Sequence, residues 1–262
     1  MNKPKALFKA LLFGIIMLAF LVVASLIAKA LKLSPARTYV FKGAFMLISA
    51  IVPLLYSAGK NYTYSDIGFN KPTKKNLKVL LFYIPFILCL IPLFLDFNKT
   101  TSTKTLIVAL FYYGCLALSA EIYFRGLIQK ELRGNVNIYI MVIFTAILFA
   151  LCNIYYLFKI TYYKHILVLS VGSFALAGIT CITVENKGNI VFTGIFNALF
   201  FFIASSFIKS GARLILAVGI SCALMFVYGI YQLIMYLKGA KKEEPNNDYK
   251  EDFGNNENIE LE

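Results

Sequence analysis

The sequence predicts an all-α, polytopic transmembrane helix bundle of about eight spans. Three observations predict it. Hydrophobic residues fill 60% of the 262 positions and charged residues only 15%. The mean hydropathy is +0.74. The apolar residues come in runs of about twenty, bounded by charges or turn residues, which is the length a helix needs to cross a hydrocarbon layer about 30 Å thick. One water-soluble core cannot hide that much apolar surface, so lipid is the solvent.

The first run, 7–31, follows Lys3 and Lys5, and Ala28-Lys29-Ala30 stands where a signal sequence would be cleaved. Its apolar stretch is longer than that of a signal peptide, so it reads as an uncleaved first span. Seven more runs follow at 39–57, 78–97, 105–132, 138–159, 165–184, 189–208 and 213–237. The second and sixth are short or touch polar residues. An even count places both termini on one side, and the distribution of Lys and Arg makes that side the cytoplasm. The best single indicator is the loop 59–76, where Lys60, Lys71, Lys74 and Lys75 cluster with Pro72. These spans make up a transmembrane domain over 1–239. From 240 to 262 the composition switches to Lys, Glu, Asn and Asp with Pro245 and no apolar run, which reads as an acidic, disordered cytoplasmic tail.

The formal net charge of +13 does not point to nucleic acid. Eight of the 13 acidic residues lie in the last twenty positions, which leaves Asp66, Asp96, Glu121, Glu131 and Glu185 in a strongly basic body. The cations of that body sit between apolar runs, where they set topology and meet anionic headgroups, and no nucleic-acid module surrounds them. Cys89, Cys115, Cys152, Cys181 and Cys222 are scattered singly inside apolar runs, with no Cys-x-x-Cys pair, and read as small buried hydrophobes.

Chemistry concentrates in the fourth run. There Glu121 stands within Leu118-Ser119-Ala120-Glu121-Ile122-Tyr123-Phe124-Arg125-Gly126. An ionisable group at membrane depth is costly and marks a functional candidate. Arg125 lies four residues on, hence on the same helical face, where the two charges neutralise each other. The residues alone leave two readings open: a structural pair near the cytoplasmic interface, or a group that takes part in chemistry. The single histidine, His165, opens the sixth run beside Tyr163 and Lys164. No second His or acid stands at metal-ligand spacing from it, so it reads as an interfacial side chain, and no cofactor or metal is expected. A Ser-His-Asp arrangement would have to use that histidine, and no Gly-rich phosphate loop is present.

The stretch around Glu121 resembles the first motif of the CAAX-protease and bacteriocin-processing family, Glu-Glu-x-x-x-Arg. Glu121, Arg125 and Gly126 match the second acid, the arginine and the following glycine, while the first acid, which that family uses to activate water, falls on Ala120. The second motif, Phe-x-x-x-His, resembles Phe149-Ala150-Leu151-Cys152-Asn153, with Asn153 in place of histidine. The third, His-x-x-x-Asn, resembles Asn197-Ala198-Leu199-Phe200-Phe201, with Asn197 and Phe201 at the two polar positions. The resemblance covers about 80–205 and implies a retained scaffold.

Proteolysis needs a group that takes a proton from water, and an oxyanion stabiliser. An amide has no usable basicity, so the degenerate positions Ala120, Glu121, Arg125, Asn153, Asn197 and Phe201 imply no catalytic residue. Asn153 and Asn197 are expected to hydrogen-bond each other or Glu121 as packing contacts. The pattern resembles an inactive-looking, Gram-positive branch of the family concerned with lysostaphin resistance and surface protein display. One protein of that branch shares the lone acid, the Phe and Arg of Phe124 and Arg125, the asparagine of Asn153 and a run like Glu244-Pro245-Asn246-Asn247, but keeps a histidine at the place of Asn197 and has a longer acidic tail. What this implies is a scaffold in the cell membrane that binds a membrane-anchored N-acetylglucosaminidase or another cell-envelope protein. An active intramembrane endopeptidase that cleaves prenylated or bacteriocin-type peptides, using Glu121 with a displaced partner, and a bacteriocin self-immunity protein are the alternatives.

Overall fold

The computed structural model describes residues 3–70, 81–94, 102–152, 163–186, 188–206 and 212–243. These residues form α1 (Lys3–Ala30), α2 (Pro35–Gly59), α3 (Ile84–Leu90), α4 (Thr103–Leu132), α5 (Ile138–Leu151), α6 (Tyr163–Glu185), α7 (Ile190–Ser206) and α8 (Ala212–Glu243). Helices α1, α2, α4, α6 and α8 are long and apolar enough to cross a membrane, and the others are shorter apolar helices. This is an all-α, multi-pass membrane architecture. Each expected run coincides with a helix, although the runs at 78–97, 138–159 and 189–208 extend beyond the described residues.

Local chemistry sets the boundaries. Lys32 turns in the left-handed region (φ 48°) after α1, and Pro35 opens α2, where its missing N–H costs nothing. Ser102 caps α4 by accepting from Thr105 N, and Asn137 caps α5 by accepting from Ile140 N at 2.8 Å. Helix α3 is flanked by 3-10 turns, Leu81–Tyr83 and Ile91–Phe94, with Pro85 and Pro92 disrupting regular hydrogen bonding. Helix α8 runs to Glu243, past the expected end at 237 and into residues assigned to the tail. Ala240, Lys241, Lys242 and Glu243 are good helix formers, and Pro245 lies just beyond.

Helix α4 is the centre of the bundle. It packs against α2 on one side and α7 on the other, while α6 packs on both α5 and α8. Its second half is sealed: Tyr123, Phe124, Arg125, Leu127, Ile128, Gln129 and Leu132 have no exposed surface. The outer helices show the reverse pattern. Phe8, Leu55 and Phe226 are each about two-thirds exposed, as suits side chains solvated by hydrocarbon. Cys89, Cys115, Cys152 and Cys181 are buried and Cys222 is half-buried, all as free thiols.

The loop 60–70 folds back over the end of α4. Thr63 and Asp66 bond reciprocally, Thr63 N donating to Asp66 Oδ2 at 2.9 Å and Asp66 N to Thr63 Oγ1 at 3.2 Å. Gly68 then adopts φ 84°, and its carbonyl accepts from Ile190 N at 3.0 Å, which ties the loop to the start of α7. Glycine is required there: a Cβ at 68 would sit 2.4 Å from Ile190 Cγ2 on a backbone that side chains rarely adopt.

Candidate functional site

Where α4 reaches Glu121 its hydrogen bonding widens to a π-helix over Ile122–Ile128 before the α-helix resumes at Gln129. Such π segments are rare and concentrate at functional sites. Glu121, Arg125, Gln129 and Arg133 follow at intervals of four and form a polar stripe that faces α6 and α7.

Both carboxylate oxygens of Glu121 are engaged. Oε2 accepts from Thr193 Oγ1 at 2.6 Å, Oε1 accepts from Asn197 Nδ2, and Arg125 Nε lies 3.5 Å from Oε1. All four residues are completely buried. Gly194 leaves room for the carboxylate stem, since a Cβ there would stand 3.4 Å from Glu121 Cγ. Arg125 Nε also donates to Thr180 Oγ1 at 2.9 Å, and the guanidinium carbon lies 4.7 Å above the centre of the Phe149 ring. That stacking adds a cation–π attraction to the ion pair. Two polar atoms remain without a hydrogen-bond partner, Arg125 Nη1 and Asn197 Oδ1.

One turn further along, Gln129 Nε2 donates to Cys181 O at 3.0 Å and to Glu185 Oε1 at 2.5 Å. Glu185 also takes a two-pronged contact from Arg133, with Nη2 at 2.7 Å and Nε at 3.1 Å. On the other face of the same segment, Glu131 accepts from Lys9 at 2.9 Å, Tyr62 at 2.9 Å and Tyr56 at 3.1 Å, which clamps α1 and α2 to α4. Lys130 pairs with Asp66 at 2.5 Å. In this loop, the hydrogen bonds from Lys130 and Thr63 hold the Asp66 carboxyl down at about 2, and burial plus the bond to Glu131 push the Tyr62 hydroxyl up to about 12.

The expected pairing of Glu121 with Arg125 is present, and of the two contacts expected for Asn197, the bond to Glu121 forms. Ala120 is buried in the apolar core next to this cluster. Phe201 packs its ring 6.3 Å from that of Phe149, and Phe149 meets Phe124 edge to face at 5.1 Å, so the first and last motif positions, Ala120 and Phe201, line the same core. Asn153 lies outside the described residues, as does the side chain of His165. Among the described residues no three His, Cys, Asp or Glu side chains come close enough to hold a metal ion.

Sequence reasoning missed Thr180, Thr193, Gln129, Glu185 and Arg133. The spacing of four from Glu121 to Arg133 was a usable signal for the stripe on α4. Hydroxyls inside apolar runs gave none for Thr180 and Thr193.

The geometry can hold a buried charge pair in one arrangement, by bonds from three helices. No curated protein matches the chain. A family match does exist, to the type II CAAX prenyl endopeptidase Rce1-like proteins, and it covers residues 102–203, from the start of α4 to near the end of α7. The match contains every degenerate motif position named above. Within a multi-pass membrane protein, residues 102–203 are therefore similar to the Rce1-like type II CAAX prenyl endopeptidases.

Proposed function

We propose that the chain is a non-catalytic member of this intramembrane protease family, which acts by binding. Its partner on this reading is a membrane-anchored peptidoglycan hydrolase, an N-acetylglucosaminidase, whose action on cell-wall glycan it regulates. The partner is what the resemblance to the lysostaphin-resistance and surface-display branch implies. The cell membrane, with both termini cytoplasmic, is the corresponding location.

The observation that carries the reading is the state of Glu121. A general base must reach the proton it abstracts, through a direct hydrogen bond or one water. Glu121 is the one acid at a motif position, and both of its oxygens are already occupied by Thr193, Asn197 and Arg125 with no exposed surface. The neighbouring position that would carry the water-activating acid is Ala120, a methyl group. A bundle held rigid by such a cluster offers its outer helices to a partner's membrane span, where close packing and interhelical hydrogen bonds give the affinity.

The family match itself favours a second reading, an active endopeptidase that uses Glu121 after a rearrangement. One experiment separates the two. Tagged protein is purified from native membranes in mild detergent and its companions are identified, in parallel with peptide-trimming assays on membranes carrying the intact protein or Glu121→Gln. Recovery of a glucosaminidase with no trimming supports the scaffold. If no hydrolase is recovered, and the intact protein trims a peptide that Glu121→Gln leaves whole, the scaffold reading is refuted.

A further inference from the structure

In and against the polar stripe of α4, three atoms have no hydrogen-bond partner: Arg125 Nη1, Gln129 Oε1 and Asn197 Oδ1. Each belongs to a side chain with no exposed surface. A buried polar atom left unpaired is costly, and a water molecule, which both donates and accepts, relieves it. The stripe is sealed, so whatever covers it decides whether it is hydrated.

At the end of the bundle that holds Glu131 and Glu185, part of the cover is the segment 62–70. Its Ile67 is 4% exposed and lies on Gly126 in the middle of the π-helix, where a Cβ would stand 3.3 Å from the Ile67 carbonyl. Phe69 packs on a small apolar cluster that includes Ile122, Val184 and Ile190 and is separate from the main core. Ile122 and Gly126 follow Glu121 and Arg125 by one residue each, so the segment lies on the flank of the charged pair.

The segment is built to move without unfolding. Gly68 N and Phe69 N donate back to Ser65 O and Tyr64 O at 3.1 and 2.9 Å, and Thr63 and Asp66 close on each other, so these bonds travel with it. Asn61, in the left-handed region at φ 55°, joins it to α2. Its polar contacts with α4 and α7 lie at the rim: Asp66 with Lys130, Gly68 O with Ile190 N, and Asn70 with Gly188 O and Asn189. Lys130 and Asp66 are about one-quarter and one-third exposed. Local opening starts at such solvated bonds, where water can take each partner's place.

We infer that the segment 62–70 is a gate, latched by Asp66 on Lys130, that admits water to the stripe around Glu121 and Arg125. Opening breaks the rim contacts and lifts Ile67 and Phe69 off α4. The water that enters gives partners to Arg125 Nη1, Gln129 Oε1 and Asn197 Oδ1, which offsets part of that cost. The arrangement described above, with Glu121 dry, is the closed state. The gate goes beyond the proposed function and stands whether or not the admitted water is then activated.

Cys181 reports on the gate, because it is buried and its carbonyl accepts from Gln129 on the stripe. Full-length protein with Cys89, Cys115, Cys152 and Cys222 changed to Ala is purified in dodecyl maltoside and treated with a charged, water-soluble methanethiosulfonate. Labelling through a rare opening runs at a rate proportional to the open population. Asp66→Asn should speed it about fivefold, the effect on such an equilibrium of losing a part-exposed ion pair. Raising the salt from about 0.05 to about 0.5 M, which screens that pair, should speed the protein with Asp66 and leave Asp66→Asn unchanged. The control keeps Cys152 alone, buried about 21 Å along α5 from Ile138, and its slow labelling should not respond to Asp66→Asn. Cys181 labelling that Asp66→Asn leaves unchanged overturns the gate. So does an equal rise at Cys181 and Cys152, the sign of a bundle loosened as a whole.

Discussion

Removing Arg125 and Glu121 singly and together measures how strongly the buried cluster is coupled. Glu121→Gln keeps the bond from Thr193 to its amide oxygen, and a flip of the Asn197 amide turns Oδ1, which has no partner now, toward the new amide nitrogen as acceptor in place of the lost bond from Nδ2. What the change removes is the counter-charge of Arg125. Arg125→Leu does the converse and leaves the carboxylate facing Thr193 and Asn197 alone. Stranding one charge of a buried pair costs about 3–5 kcal/mol. At 3.5 Å and an effective dielectric constant of about 20, the pair attraction is on the order of 5 kcal/mol, in line with that range. The double variant buries an amide and an aliphatic chain and should lose no more than about 3 kcal/mol, so the coupling should reach at least about 3 kcal/mol. The assay is unfolding in mixed dodecyl maltoside and dodecyl sulfate micelles, followed by far-ultraviolet circular dichroism. Losses that add to within about 0.5 kcal/mol would show that Glu121 and Arg125 are independent packing residues and would refute the coupling argument.

Other contacts give separate tests. Thr180→Val removes the hydroxyl that accepts from Arg125 Nε and should cost about 1–3 kcal/mol in the same unfolding assay, with Thr180→Ser restoring most of it. Gly68→Ala forces a side chain into the left-handed region and against Ile190, so it should lower stability by about 1–3 kcal/mol, with proteolytic nicking of the loop 60–70 as a second readout. Asp66 has its carboxyl depressed to about 2 from an ordinary value near 3.8. Its contribution is therefore complete above about pH 4 and disappears as the pH falls from there through about 2. In thermal melts across that window, Asp66→Asn should flatten the pH dependence, and the amplitude should stay near 1 kcal/mol because both partners are partly solvated.

The helices were legible for one reason and their contacts illegible for the same reason. A membrane span announces itself by apolar length, so 105–132 was close to Thr103–Leu132 and 165–184 to Tyr163–Glu185. In a soluble protein the polar face of each helix would also reveal its orientation. Here both the lipid side and the core side are apolar, and the pattern that would say which face of α6 meets α4 is absent. Thr180 and Thr193 are single hydroxyls in long apolar runs, and nothing near them in sequence distinguishes them from Ser173 or Thr145. Glu121 and Arg125 were visible because a charge in such a run is exceptional. The π-helix at Ile122–Ile128 was not visible, because nothing in its sequence departs from an ordinary apolar helix, and its neighbours Ile67 and Thr180 are distant along the chain.

The contrast between positions 120 and 121 has an energetic logic on the proposed reading. Arg125 can neutralise one carboxylate, and Glu121 already occupies its Nε side. A second acid at 120, in a position now only 3% exposed, would be a buried charge without its own cation. Such an acid is worth keeping only where water must be activated. Once that need is gone, alanine at 120 relieves the bundle of a costly group and fits the core without other change. Glu121 is not free to follow, because its loss alone would strand Arg125, and Arg125 is held by Thr180 and Phe149 besides. A chain released from proteolysis would thus shed the first acid and retain the second with its arginine, which is the pattern this sequence carries at Ala120, Glu121 and Arg125.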